Sequence, residues 1–178
     1  MSEKITRAEF FKRMFGKAAE GVGKAVEWKV ASMVPKGIRP PWSLKETLFL
    51  SRCEKCGGCG EICPEGIIYY STSKAGLAAN TPYLDFKDAH CTYCGECVKV
   101  CPSGALNFEN VKELGVARIS SGLCSPAHEA GCSYCLDNCP EGAIEFSEEG
   151  HAKVIARACN GCGACVTGCE GEAIKVSK

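Results

Sequence analysis

Large aromatic side chains are scarce in this sequence, at 8% of 178 residues, and histidine occurs only three times. So little bulk makes an ordinary hydrophobic core too weak to hold the chain unaided, and something else must staple it. No apolar run approaches the length of a membrane span. The nearest candidate, residues 18–34, is interrupted by Glu20, Lys24, Glu27 and Lys29. For the same reason the first forty residues lack the apolar region of a secretory signal. Residues 6–12 have only a partial likeness to a twin-arginine signal, since Arg7-Ala8 stands where two arginines are needed. There is no serine–histidine–acid set, phosphate loop or nucleotide fingerprint, which argues against catalysis by this chain and predicts a protein that is not an enzyme. The expected location is the cytoplasm, where thiols stay reduced.

Cysteine is present in excess, with sixteen residues, alongside twenty glycines. The cysteines recur in four units, and internal repetition is the main organising signal of the chain. The first unit is Cys53, Cys56, Cys59 and Cys63, followed by Pro64. The second is Cys91, Cys94, Cys97 and Cys101, followed by Pro102. The fourth is Cys159, Cys162, Cys165 and Cys169, followed by Glu170. Each has two, two and three residues between cysteines. The third departs: Cys124, a seven-residue gap over 125–131, then Cys132, Cys135, Cys139 and Pro140. Cys124 supplies the missing first position, and no cysteine is left unassigned.

This spacing has a geometric reason. Three sulfurs separated by two residues each can wrap three iron corners of a cubane in one tight loop. The fourth, one helical turn on, points away and completes a neighbouring cluster, and proline then ends the turn. Zinc sites more often pair two separated cysteine knuckles. Disulfides among cysteines this close in one loop would be strained. The reading is therefore four [4Fe–4S] clusters on all sixteen cysteines. With adjacent units paired, the ligand sets are Cys53/Cys56/Cys59/Cys101, Cys91/Cys94/Cys97/Cys63, Cys124/Cys132/Cys135/Cys169 and Cys159/Cys162/Cys165/Cys139. Adjacent pairing is favoured, and a nested arrangement, first unit with fourth and second with third, stays open.

The predicted fold is α+β: tandem bacterial 2[4Fe–4S] ferredoxin-like domains behind an N-terminal helix. Phe11, Phe15, Ala18, Val22, Val26, Val30 and Met33 form one stripe, which predicts an amphipathic helix over 3–34. That helix is a brace on the chain's own body or an anchor to a partner or membrane surface. The expected divisions are 1–36, 37–115 and 116–178. Each unit should have a cysteine loop, a short helical turn after the third cysteine, and a strand: 66–70, 105–108, 143–146 and 173–176. Return strands are expected at 83–86, 117–120 and 152–155, with a hairpin turn at Gly150. Opening strands at 47–51 and 116–120 would lie beside closing strands at 106–108 and 174–176. His90 and His151 read as surface residues, as does His128 in the widened loop, and Tyr93 reads as a shield over a cluster. Asp137 and Glu61 are expected to face solvent.

Residues 1–40 carry a net of +5 and residues 41–178 a net of −5. Four oxidised clusters with their thiolates would add about −8 to the body. An acidic body argues against nucleic-acid binding and suits docking to a basic surface of a redox partner.

The run Gly37-Ile38-Arg39-Pro40-Pro41-Trp42-Ser43, with Glu46, Phe49 and Cys53 after it, resembles the opening of NapF-type ferredoxins. So do the seven-residue gap before Cys132 and the run Ala158-Cys159-Asn160-Gly161-Cys162-Gly163-Ala164-Cys165. The resemblance covers residues 37–178. It implies a four-cluster electron-transfer protein working with an oxidoreductase, such as the molybdenum enzyme periplasmic nitrate reductase. It also implies an alternative role, as an assembly factor for that enzyme. The extension over 1–36 lacks the family's arginine-rich opening, and Glu170 replaces a proline.

Overall fold

The computed structural model describes residues 37–110, 113–124 and 132–178. The helix expected over 3–34 and the loop 125–131 with His128 lie outside the described residues.

The described chain is built from very short elements hung on the cysteine loops. Helix α1 (Glu46–Arg52) precedes the first loop. Single-turn helices α2 (Gly58–Glu61), α3 (Glu96–Lys99), α4 (Tyr134–Asp137) and α5 (Ala164–Thr167) each contain the third cysteine of a unit. They begin on that cysteine's own turn rather than after it. Strands β1 (Ile68–Tyr70) and β2 (Pro82–Leu84) form an antiparallel pair across a 3-10 stretch, Ser73–Ala78. Strands β4 (Ile144–Phe146) and β5 (Ala152–Val154) form a hairpin closed by Gly150, whose N–H bonds Ser147 O. Strand β3 (Val116–Ile119) pairs antiparallel with β6 (Ile174–Ser177), the first and last strands of the C-terminal half. This two-stranded pattern repeated around cysteine loops is the tandem α+β arrangement expected.

Two expectations fail in the first half. Residues 47–51 are helical, not an opening strand: Phe49 N–H bonds Lys45 O, and Cys53 N–H bonds Phe49 O. One side of this turn is buried, with Phe49 at 0% exposure, while Leu48 is 51% exposed. Alternating burial would have been needed for a strand. The segment 105–108 is likewise reduced to a single bridge, Leu106 to Ser43, and Ile38 bridges Leu84. The extended, proline-bearing run 37–43 thus takes the place of the opening strand.

Two cores follow from this. The first gathers Trp42, Phe49, Ile67, Leu84, Phe86, Leu106 and Leu114. The second is made of smaller side chains: Ala117, Ile144, Ala152, Ala173 and Ile174 beside Cys135 and Cys165. Val166 and Val176 pack against both.

Arg39 locks the opening run onto the first core. Its guanidinium, only 4% exposed, holds Glu46 through Nη2 to Oε1 at 2.6 Å and Nε to Oε2 at 3.1 Å. Nη1 donates to Thr81 Oγ1 at 2.7 Å and Pro82 O at 2.6 Å, and the plane lies 4.7 Å from the Phe49 ring centre. A fork of fixed donors over an aromatic face is a task lysine cannot perform. His90 and His151 are half-buried rather than surface residues. Among the described residues, His151 Nδ1 is enclosed without a hydrogen-bond partner.

Arg39→Ala should cost about 2–3 kcal/mol, below the full cost of breaking a buried pair because Glu46 is partly exposed. Arg39→Lys should recover less than half of that. Removing the exposed Lys99–Glu96 pair should leave the unfolding midpoint unchanged. Denaturant unfolding of the three variants checks the contrast.

Candidate iron–sulfur centres

The sixteen thiols are all free and they gather in fours. One cavity, with about 390 Å³ of empty space, is lined by Cys53, Cys56, Cys59 and Cys101. A second, of about 350 Å³, is lined by Cys63, Cys91, Cys94 and Cys97. A third, of about 320 Å³, is lined by Cys139, Cys159, Cys162 and Cys165. The fourth group, Cys124, Cys132, Cys135 and Cys169, lines a much wider space of about 1300 Å³ that includes open solvent. In each group the fourth unit position comes from a neighbouring unit, so single-turn helices of adjacent units lie together, α2 with α3 and α4 with α5.

The chemistry of these groups follows from their surroundings. Desolvation pushes the Cys97 and Cys165 thiols up to about 12 and Cys91 to about 11, and neighbouring thiolates add to the effect. Burial also raises Cys53, Cys59, Cys135 and Cys162. Such thiols keep their protons until a metal replaces them, so loading releases protons. Backbone donors already point at several sulfurs: Leu106 N–H at Cys101 (3.5 Å), Ala117 N–H at Cys159 (3.4 Å) and Ala143 N–H at Cys139 (3.2 Å). Donors of this kind stabilise thiolate and tune a cluster's potential. Four soft sulfurs spread around each cavity fit a multi-iron cluster.

Aromatic groups cover the loops. Tyr93, placed between two cysteines, has its ring edge-on to Trp42 at 6.1 Å, and Phe108 packs on Trp42 at 5.1 Å. Tyr70 was not legible as a site residue, although its place on the strand that returns over its own loop is the signal. Its hydroxyl donates to Gly57 O, accepts Gly60 N–H at 2.9 Å, and lies 3.8 Å from Cys59 Sγ. Because the single hydroxyl proton is committed to Gly57, the main effect is to clamp the loop rather than to charge-stabilise Cys59. The Gly60 backbone must come so close to the ring that a Cβ there would strike the Tyr70 hydroxyl. Asp137 and Glu61 are exposed, as expected. A wide cleft, about 1810 Å³ with open solvent, runs between the opening segment and the C-terminal strand, and its charged Arg39 and Glu46 are already paired with each other.

Residues 52–105 and 130–173 match the model of the 4Fe-4S dicluster domain. The matched segments make up more than half of the chain, and the protein belongs to that family. A dicluster model matched twice means more than one [4Fe–4S] cluster. The resemblance to NapF-type ferredoxins holds and extends to NapG. The ferredoxin-type protein NapG of Escherichia coli (strain K12) is 36% identical over 73 residues, covering 41% of this chain and 32% of that protein. The ferredoxin-type protein NapF of Haemophilus influenzae is 47% identical over 32 residues, covering 18% of each chain. NapF of Escherichia coli (strain K12) is 36% identical over 61 residues, covering 34% of this chain and 32% of that protein. The matches thus span about a third or less of these relatives' length.

Tyr70→Phe removes the clamp at the cost of about 1 kcal/mol. The variant should load iron fully but lose part of it to a chelator several times faster than the parent. Chelation followed by visible absorbance checks this, and Leu77→Ala, at an exposed position, should behave as the parent.

Proposed function

We propose that this chain carries four [4Fe–4S] clusters and relays single electrons to or from a partner oxidoreductase, without catalysing a reaction itself. The observation that carries the reading is the gathering of the sixteen cysteines into four groups of four, each crossed between neighbouring units. We assign the clusters to Cys53/Cys56/Cys59/Cys101, Cys91/Cys94/Cys97/Cys63, Cys124/Cys132/Cys135/Cys169 and Cys159/Cys162/Cys165/Cys139. The corresponding dicluster domains are residues 37–115 and 116–178, behind an N-terminal segment over 1–36.

Each bound cluster supplies a one-electron couple. The chain's own residues would hold the clusters in place: Trp42, Tyr93 and Phe108 gather at the second cysteine loop, and N–H donors are aimed at Cys101, Cys139 and Cys159. The relatives are named ferredoxin-type proteins, which supports a carrier rather than an enzyme. The partner is taken to be an oxidoreductase of the nitrate reductase kind, as the NapF and NapG likeness suggests, and docking uses the acidic body. The proposed location is the cytoplasm, where so many free thiols would escape oxidation. No helix among the described residues is long and apolar enough to cross a membrane.

Anaerobic reconstitution should give about sixteen irons and as many acid-labile sulfides per chain, reversibly reducible by dithionite. Cys97→Ser should remove about a quarter of both. Saturation at about eight irons would overturn the four-cluster assignment, and clusters that cannot be reduced reversibly would overturn the relay.

A further inference from the structure

We propose that the two halves of the protein meet electrically at one place, the second cysteine loop against the fourth, so that the four centres form a row in the order first, second, fourth, third. This rests on the electron-relay reading above and adds the route.

The contact is made by backbone atoms of the cysteines themselves. Cys91 N–H donates to Cys162 O at 2.8 Å, which joins the peptide of one group to the peptide of the other. Around it, Tyr93 Oη donates to Asn160 O at 2.6 Å and Leu114 N–H to the same oxygen at 3.1 Å. Asn160 is itself held from both sides, by Glu141 Oε1 at 2.8 Å and by Cys162 N–H at 3.0 Å. The approach is close enough to require glycine: a Cβ on Gly161, at φ +78°, would stand 2.6 Å from Gly115 O.

Burial records the same asymmetry. The second cysteine of the first three units, Cys56, Cys94 and Cys132, is exposed, whereas Cys162 is only 8% exposed. The fourth loop has been turned inward against the first half. The cross-half hydrogen bonds just described all end on the fourth loop, at Asn160 or Cys162, and start from Cys91, Tyr93 or Leu114; none of them engages the group of Cys124, Cys132, Cys135 and Cys169 or that of Cys53, Cys56, Cys59 and Cys101. These two groups are therefore the ends of the row. Inside each half, the crossed cysteines hold the two groups together. Tunnelling falls steeply with distance, so an electron crossing the protein would pass through the Cys91–Cys162 contact. Each hop oxidises one centre by one electron and reduces its neighbour by one, with no bond or proton change.

The test uses full-length protein, reconstituted and reduced with dithionite, and reads magnetic coupling between reduced centres by electron paramagnetic resonance. Cys59→Ser with Cys135→Ser leaves only the second and fourth centres, and these should give an interacting, broadened spectrum. Cys59→Ser with Cys165→Ser leaves the second and third, and Cys97→Ser with Cys165→Ser leaves the first and third; both should give two independent signals. Coupling of the second with the third, and none of the second with the fourth, would overturn the order. Gly161→Ala, which keeps all sixteen cysteines, should weaken the coupling between halves when variant and parent are compared at equal iron content per chain. Hydrogen exchange of the Cys91 amide is an independent readout: slow exchange in the parent, faster in Gly161→Ala, is expected, and fast exchange in the parent overturns the contact even if the centres resist reduction. Irreducible centres with a protected Cys91 amide would defeat the relay reading while upholding the junction.

Discussion

The fold depends on a sulfur that leaves its own loop. In each unit three cysteines turn inward on one cavity and the fourth reaches across to the next, so neither member of a pair is complete alone. That crossing ties elements too short to stand by themselves: helices of a single turn and strands of three or four residues. Isolated elements of this length are unstable in water. Their stability must come from what they jointly hold, and metal binding of this type is folding free energy.

The two halves draw on this support unequally. The first has Trp42, Phe49, Phe86 and the partly buried Arg39–Glu46 pair, a real if small core with its own polar lock. The second buries mostly alanine and isoleucine around Cys135 and Cys165. Its metal-binding loops therefore carry a larger share of its cohesion, and its widest cavity is the one with the lengthened first connection, between Cys124 and Cys132. The fourth loop packs on the first half, which leaves Cys162 buried where Cys56, Cys94 and Cys132 meet solvent.

Much of the fold was legible because local chemistry repeats. The turn after each loop, the returning strands β1, β2, β4 and β5, the Gly150 hairpin and the β3–β6 closure all follow from apolar runs bounded by glycine, proline and polar residues. The failures have a common cause. The run Thr47-Leu48-Phe49-Leu50-Ser51 is apolar enough to pass for a strand, but only Phe49 is anchored, under the Arg39 guanidinium, and a helical turn satisfies the backbone just before the first cysteine. The run at 105–108 lost its partner to that helix and kept only the Ser43 bridge. His151 was read by its neighbouring turn glycine, which says nothing of what packs on it from other elements. Tyr70 was missed because a tyrosine on a short strand is unremarked until the strand folds back over its loop.

Spacing alone pointed to [4Fe–4S] clusters rather than disulfides, because ligand separations of two and three residues are imposed by the size of a cubane and are local in the chain. Which loop meets which is not local. The seating of Asn160, Gly161 and Cys162 against Tyr93, Leu114 and Cys91 joins residues some seventy positions apart or fewer, and it arises from shape fit between two assembled halves. No pattern within either segment encodes that meeting, so only the tertiary structure decided it.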